Sequence, residues 1–355
     1  MNILVKGRAA QFNPKNRFEK LEIAYPDDET SFNDEKELSK KMTTSFFKGY
    51  SRSIVATNDS YDIGFNYSFN PYRGCEHGCI YCYARPTHEF LGFSSGLDFE
   101  TKIMVKENAP QLLEETFRKR SYKPDLIMFS GDTDCYQPVE RKLQLTRKSL
   151  EVCLKYRNPV SVITKNFLIT RDIDILKEMA QKKLAVVLIS ITSVDKNLTA
   201  KMEPRASTPE RRFEAIKLLA ENKISVGVNV APIIPGLNDE EIPKILKSAA
   251  ESGASFAGRT MLRLPYSVKD LFSSWLEKEF PDRANKILNK IREMRGGKLN
   301  SSEFGKRFTG EGPVAESIID LFDISCKKFG LNKKHFKLSA DNFIKQSDSQ
   351  LTLFD

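Results

Sequence analysis

Histidine and tryptophan are scarce in this 355-residue chain, with three His and one Trp. Chemistry that relies on several histidines has too few to draw on. Long apolar runs are missing as well, so no segment reads as a membrane span. The opening MNILVKGRAAQFNPKNRF carries one short apolar stretch and no signal-peptide core, and a cytoplasmic location is the expectation. Six cysteines are too few for a disulfide scaffold in a chain of this length. No internal repeat is visible.

What is present is ordinary globular composition, 40% hydrophobic and 29% charged, enough for a sizeable core. That fits one large domain with extensions or two smaller domains. The net charge of +9 permits a polyanionic partner such as nucleic acid and says nothing about the fold.

Residues 1–65 lack sustained periodicity and carry Pro14, Pro26 and the acidic stretch Asp27-Asp28-Glu29. They read as an extension packed on the main domain, with one helix near 34–42. From 66 to 265 short β-branched runs alternate with helix-period segments. The runs are 125–130 (DLIMFS), 160–164, 185–192 (AVVLISIT), 225–234 and 255–264. Their near-continuous apolar character suits strands buried on both faces. The segments 139–155, 171–182, 209–221 and 239–251 read as helices, with Pro209 and Asp239 at starting positions. Such alternation implies a parallel sheet. A first strand near 67–70 brings the count to about six strand–helix units, too few for an eight-fold barrel. The expectation is an α/β fold, a partial (β/α)6 TIM-like barrel, with a doubly wound open sheet as the structural alternative.

Three cysteines crowd into one short stretch: Cys75-Glu-His-Gly-Cys79-Ile-Tyr-Cys82. Three thiolates at this C-x3-C-x2-C spacing can hold three irons of a cubane cluster and leave the fourth open, whereas electron-transfer clusters take four cysteines. Gly74 and Gly78 permit the turns such wrapping needs. The loop follows the first strand at its carboxyl end, where barrel sites form. The competing assignment is a structural zinc with His77 or His88 as fourth ligand. Cys135, Cys153 and Cys326 are scattered, and Cys153 reads as a core residue in a helix.

Residues 70–88, NPYRGCEHGCIYCYARPTH, resemble the signature of the radical S-adenosylmethionine (SAM) superfamily. More narrowly they resemble its spore photoproduct lyase-like branch, often labelled "DNA repair photolyase". The likeness runs on through SGDTDCYQPVE, VITKN, LISITS and MEPRAS to the terminal QLTLF. It implies a [4Fe–4S] cluster on Cys75, Cys79 and Cys82, with SAM bound at the open iron. It also implies an electron donor such as flavodoxin or ferredoxin. One-electron reduction would split SAM and yield a 5′-deoxyadenosyl radical that abstracts hydrogen from a substrate. Carried over residue by residue, the family's SAM contacts fall on Thr133, Lys165 and Ser190. By position, Tyr81 inside the loop packs near adenine or simply under the loop, Arg205 contacts SAM or an anionic substrate or else pairs with Glu203 at the surface, and Asn229 with the 232–236 turn fits an adenine edge. One departure stands out. Gly131 occupies the position where the lyase has a hydrogen-donating cysteine, and Cys135 lies four residues later.

The last quarter is helical and basic. Residues 283–307 hold eight Lys/Arg against two Glu, and 327–345 hold six Lys against one Asp. These stretches can track a phosphate backbone or form a solvated helix face. Phe304, Phe308, Phe329, Phe336 and Phe343 lie among them, some for the core and some for stacking on bases. The end, Gln350-Leu351-Thr352-Leu353-Phe354, resembles the peptide by which bacterial repair and polymerase proteins hold the β sliding clamp. The division expected is 1–65 extension, 66–265 partial barrel, 266–345 basic helical region and 346–355 tail. The expected function is radical SAM chemistry on nucleic acid. The alternatives are the same chemistry on a peptide, protein or metabolite, and a non-enzymatic zinc- or cluster-stabilised adaptor on the clamp.

Overall fold

The computed structural model describes residues 5–19, 42–333 and 337–345. The helix expected near 34–42 and the terminal clamp-like peptide therefore lie largely or wholly outside the described residues.

Two sheets form before the helical region. The chain begins with β1 (Ser45–Lys48), β2 (Val55–Thr57), β3 (Tyr67–Phe69) and β4 (Tyr72–Arg73), followed by α1 (Leu97–Thr101), β5 (Lys102–Val105) and α2 (Ala109–Arg118). Alternation then takes over: β6 (Ile127–Phe129), α3 (Glu140–Leu143), α4 (Leu145–Tyr156), β7 (Val160–Thr164), α5 (Ile173–Gln181), β8 (Ala185–Ser190), α6 (Lys196–Met202), α7 (Pro209–Glu221), β9 (Ser225–Ile233), α8 (Ile242–Glu251) and β10 (Phe256–Met261). Three helices follow, α9 (Val268–Glu279), α10 (Ala284–Glu293) and α11 (Gly312–Phe329).

The main sheet has the order β10-β9-β8-β7-β6-β3-β2. Its six strands from β3 to β10 are parallel, and β2 is added antiparallel at one edge. A small sheet, β1-β5-β4, lies apart from it. The six runs expected from β-branched composition are the six parallel strands. Strand β6 is buried along its whole length, and β7 and β8 nearly so, as a sheet covered on both faces requires.

The sheet is open in its hydrogen bonding but curls. Three strands separate β10 from β6. Yet Arg263, just past β10, stacks on the Tyr83 ring, and the Tyr83 hydroxyl donates to Gly131 O just past β6. Across the free edges, Arg307 donates to both oxygens of Asp62, which precedes β3. The partial barrel is thus bridged past the carboxyl ends of β6 and β10 by Tyr83 and Arg263, and across its free edges by Asp62 and Arg307.

One apolar core lies between the sheet and its helices, with Phe69, Phe129, Val162, Ile189 and Val228 on strands. A second joins Cys79, Ile80 and Tyr81 of the cysteine loop to Leu271, Phe272 and Trp275 of α9 and to Ile287 and Ile291 of α10. The apolar faces of α9 and of the basic α10 therefore carry the loop. Of the aromatics in this region, Phe343 packs on Phe117 and Tyr122, while Phe304 stays exposed against Tyr61. Among the described residues no helix is long and apolar enough to cross a membrane.

Candidate active site

The cysteine loop leaves β3, crosses β4 and sits at the carboxyl ends of the parallel strands. Positive φ at Gly74 and Gly78 makes its turns. At Gly78 a side chain is also sterically barred, because a Cβ would lie 2.6 Å from Glu100 Oε2. The loop backbone is held from several sides. Gln137 accepts from Glu76 N at 2.9 Å and donates to Gly74 O at 3.1 Å. Ile80 N donates to Met202 O at the end of α6.

Beneath the loop lies Arg85, with no exposed surface. Its guanidinium donates to the carbonyls of Gly78, Cys79, Ser95 and Gly96 and to Glu100 Oε1. Glu100 in turn accepts from Ala10 N, so the N-terminal segment is tied to the same brace.

Cys75 and Cys79 are buried and Cys82 is partly so. Burial, Asp134 and the other two thiols push Cys75 far above the usual thiol range. Burial and Glu203 push Cys79 up to about 12, and burial raises Cys82. Three dry thiols that oppose one another's ionisation fit a cationic metal group, which would bind them as thiolates. Among the described residues no three His, Cys, Asp or Glu side chains converge on one ion-sized point. A polynuclear iron–sulfur group, which spreads its ligands over several irons, fits a set of three thiols on one loop. The histidines weighed as a fourth ligand are placed otherwise. His77 faces Asp134 at 3.3 Å through Nδ1 and Asn166 at 3.1 Å through Nε2. His88 packs between Phe93 and Phe99.

Strand ends supply the surrounding groups. Thr133 follows β6; its hydroxyl donates to Tyr72 O at 2.9 Å. Asp134 accepts from Thr164 Oγ1 and Lys165 N. Burial alone would raise the Asp134 carboxyl, but His77 and these donors hold it down at about 2. Lys165 follows β7. Its ammonium lies 5.8 Å from the Tyr81 ring centroid and makes no ion pair among the described residues. Ser190 ends β8, and its carbonyl accepts from Arg212.

Tyr81 is tied into a buried set that sequence reasoning missed. Its hydroxyl donates to Glu203, which also accepts from Thr192 and Arg212. Burial works against the Glu203 charge, but Arg212 and then Lys165 outweigh it and keep the carboxyl near 2. Arg205 does not pair with Glu203; it donates to Glu76 inside the cysteine loop at 3.0 Å. Tyr81, Lys165 and Arg205 thus gather at the loop, while the Thr133 and Ser190 side chains are buried past β6 and at the end of β8, with β7 between them. Arg85, Glu100, Asp134 and Arg212, to which sequence reasoning gave no role, are charged side chains buried or nearly so at or near the loop. Arg85 and Asp134 lie within the motifs that carry the family likeness, whereas Glu100 and Arg212 lie outside them.

The position where the lyase carries its hydrogen donor is filled by backbone. A Cβ on Gly131 would meet Ser68 Cβ at 3.0 Å. Cys135 is wholly buried in the core, and its thiol is pushed far up by burial.

Comparison with known proteins agrees with this geometry. The chain is 32% identical over 234 residues to an uncharacterized protein of Mycobacterium tuberculosis, spanning 65% of this chain and 68% of that one. It is 31% identical over 227 residues to an uncharacterized protein of Methanocaldococcus jannaschii, spanning 64% and 81%. In fold it is similar to spore photoproduct lyase complexed with dinucleoside spore photoproduct, with a TM-score of 0.58, 16% identity and coverage of 81% and 80%. A variant of that lyase with bound AdoMet and dinucleoside spore photoproduct gives 0.57, 17%, 81% and 80%. At such identity the likeness is one of fold. The family model described as Radical SAM superfamily matches residues 69–249, from the last residue of β3 through most of α8. With three cysteines on one braced loop at the mouth of a six-stranded parallel sheet, this chain belongs to the radical SAM superfamily.

Proposed function

We propose that this chain is an enzyme that holds a [4Fe–4S] cluster on Cys75, Cys79 and Cys82, cleaves SAM reductively and starts radical chemistry on a nucleic acid. The observation that carries the reading is the Lys165 ammonium, without an ion pair among the described residues, beside a loop of three cysteines of which two are buried and one partly so. When bound and reduced by one electron, such a cluster splits SAM and supplies a 5′-deoxyadenosyl radical that takes a hydrogen atom from the substrate.

The chain's own residues position the reactants. Lys165 pairs with the SAM carboxylate; it makes no ion pair among the described residues, and Glu203, whose charge it helps to stabilise, is already bound by Arg212. Thr133 and Ser190 offer hydroxyl oxygens past β6 and at the end of β8, on either side of β7. Tyr81, fixed by Glu203, presents an aromatic wall, and Arg205 holds Glu76 against the loop. Burial of the loop excludes water from the reacting centre.

Nucleic acid is favoured as substrate by the +9 charge and by the fold's likeness to a lyase complexed with a dinucleoside. Reduction falls to a soluble donor such as flavodoxin or ferredoxin in the cytoplasm. The terminal Gln350, Leu351, Leu353 and Phe354 engage a sliding clamp, which a chain ending at Ser349 would fail to bind.

The test is an anaerobic assay of the reconstituted, reduced protein with SAM and a perdeuterated oligonucleotide. Deuterium in the 5′-deoxyadenosine supports the reading. Transfer from a deuterated peptide in its place would move the substrate to protein.

A further inference from the structure

Four Phe and Tyr rings and two guanidinia form a continuous file, in which ring and guanidinium alternate from Tyr83 to Phe304. It starts at Tyr83, next to Cys82. The Arg263 guanidinium lies 5.4 Å from the Tyr83 ring centroid and 4.7 Å from that of Phe308. Arg307 lies 4.9 Å from Phe308 and 4.5 Å from Phe304. The Phe304 ring then meets Tyr61 at 5.3 Å. The file runs from the cysteine loop to the open flank between β10 and the β2–β3 edge. Tyr83, Phe304 and Tyr61 show 45%, 46% and 80% of their surface to solvent.

The two guanidinia differ in what they hold. Arg307 is spent on Asp62, which also accepts from Gly305 N. Arg263 makes no hydrogen bond or ion pair among the described residues, and its Nε is shut off from solvent without a partner. Nearby Arg295 gives both terminal nitrogens to the carbonyls of Leu262 and Lys306, so it supplies Arg263 no counter-charge. A half-buried guanidinium next to two other arginines, with one carboxylate already taken, is a receptor lacking its anion.

We propose that this file is the track along which a single-stranded nucleic acid enters the site, with Arg263 receiving the phosphodiester nearest the reacting nucleotide. The proposal rests on the nucleic-acid reading above and adds where the strand lies. Exposed ring faces at Tyr61, Phe304 and Tyr83 accept bases by stacking, which is tolerant of sequence. A planar guanidinium between two rings is pre-oriented to fork onto phosphate oxygens. The Asp62–Arg307 pair fixes the outer half of the track across the barrel's open side.

The full-length protein, reconstituted with iron and sulfide, is titrated against a labelled single-stranded oligonucleotide of about eight nucleotides at several salt concentrations, read by fluorescence anisotropy. Loss of one phosphate contact lowers the salt slope by about 0.7. Arg263→Gln is therefore expected to bind roughly ten-fold more weakly with a slope reduced by about that amount. Arg263→Lys keeps the slope, because its charge remains. Phe304→Ala weakens binding by roughly ten-fold with the slope unchanged. Equal affinity and slope in Arg263→Gln and the native protein overturn the track while leaving nucleic-acid binding intact. Absence of any salt-dependent binding by the native protein overturns the nucleic-acid reading and the track together. Equally tight binding of a polyglutamate peptide, displaced by the oligonucleotide, overturns the assignment to nucleic acid and leaves a general anion site.

Discussion

Arg85 and Glu100 form an ion pair at 2.5 Å with neither side chain exposed, directly beneath the cysteine loop. The pair does more than neutralise charge. The other four hydrogen bonds of Arg85 go to backbone carbonyls, two of them in the loop itself. Arg85→Met leaves the Glu100 carboxylate dry and uncompensated, which costs about 3–5 kcal/mol. Urea unfolding should show that loss. Arg85→Lys should recover only part of it, since one ammonium cannot reach five acceptors set by a planar fork. A stability equal to native in Arg85→Met would contradict the bracing role.

His88 sets an acid limit on stability. Burial between aromatic rings drops its pKa to about 4, against an ordinary value of 6.5. Between those two values the unfolded chain binds the proton and the folded chain does not. Stability contributed by neutral His88 is therefore complete above pH 6.5 and falls as the pH drops, levelling off below about 4. The loss amounts to about 3 kcal/mol. His88→Phe should flatten this part of the stability–pH curve, measured by urea unfolding at a series of pH values. An unchanged slope in the variant would assign it to other groups.

Lys165 is the most specific of the SAM-directed assignments. An ionic hydrogen bond to the SAM carboxylate contributes about 1.5–3 kcal/mol. Lys165→Met should lower SAM affinity roughly 10- to 150-fold, read by equilibrium dialysis with labelled SAM on cluster-loaded protein. Iron content should stay at the native level, since Lys165 ligates no metal. Native SAM affinity in Lys165→Met would remove the lysine from the site.

The strands were legible because β-branched runs buried on both faces repeat at regular spacing, as in AVVLISIT for β8. The cysteine loop was legible because metal chemistry fixes its spacing. The small sheet of β1, β4 and β5 was not, since strands of two to four residues carry no periodicity. Helix α2 was also missed, although its apolar Ala109, Leu113 and Phe117 recur at four-residue spacing. The expected helix over 139–155 is broken at Gln144, whose φ of 54° lies in the left-handed region. The charged groups around the loop were the hardest to see. Arg212 and Glu203 are nine residues apart, and a buried pair of that spacing looks in sequence like two surface charges. Arg205, adjacent to the same glutamate, reaches across to Glu76 instead, which only the folded loop makes possible.

Cys135 is a core thiol. Its side chain is fully buried behind Asp134, and burial keeps it protonated. Cys135→Ala should cost about 1 kcal/mol from the small cavity and leave SAM cleavage and iron content unchanged. Loss of cleavage with iron retained would give Cys135 a chemical role.

The central claim is the cluster on three cysteines. Anaerobic purification, iron and sulfide analysis, and a 5′-deoxyadenosine assay after dithionite reduction with SAM test it together. About four irons and four sulfides per chain are expected together with SAM cleavage, both lost in Cys79→Ala. One zinc per chain with no SAM cleavage, or cleavage that survives Cys79→Ala, would contradict it.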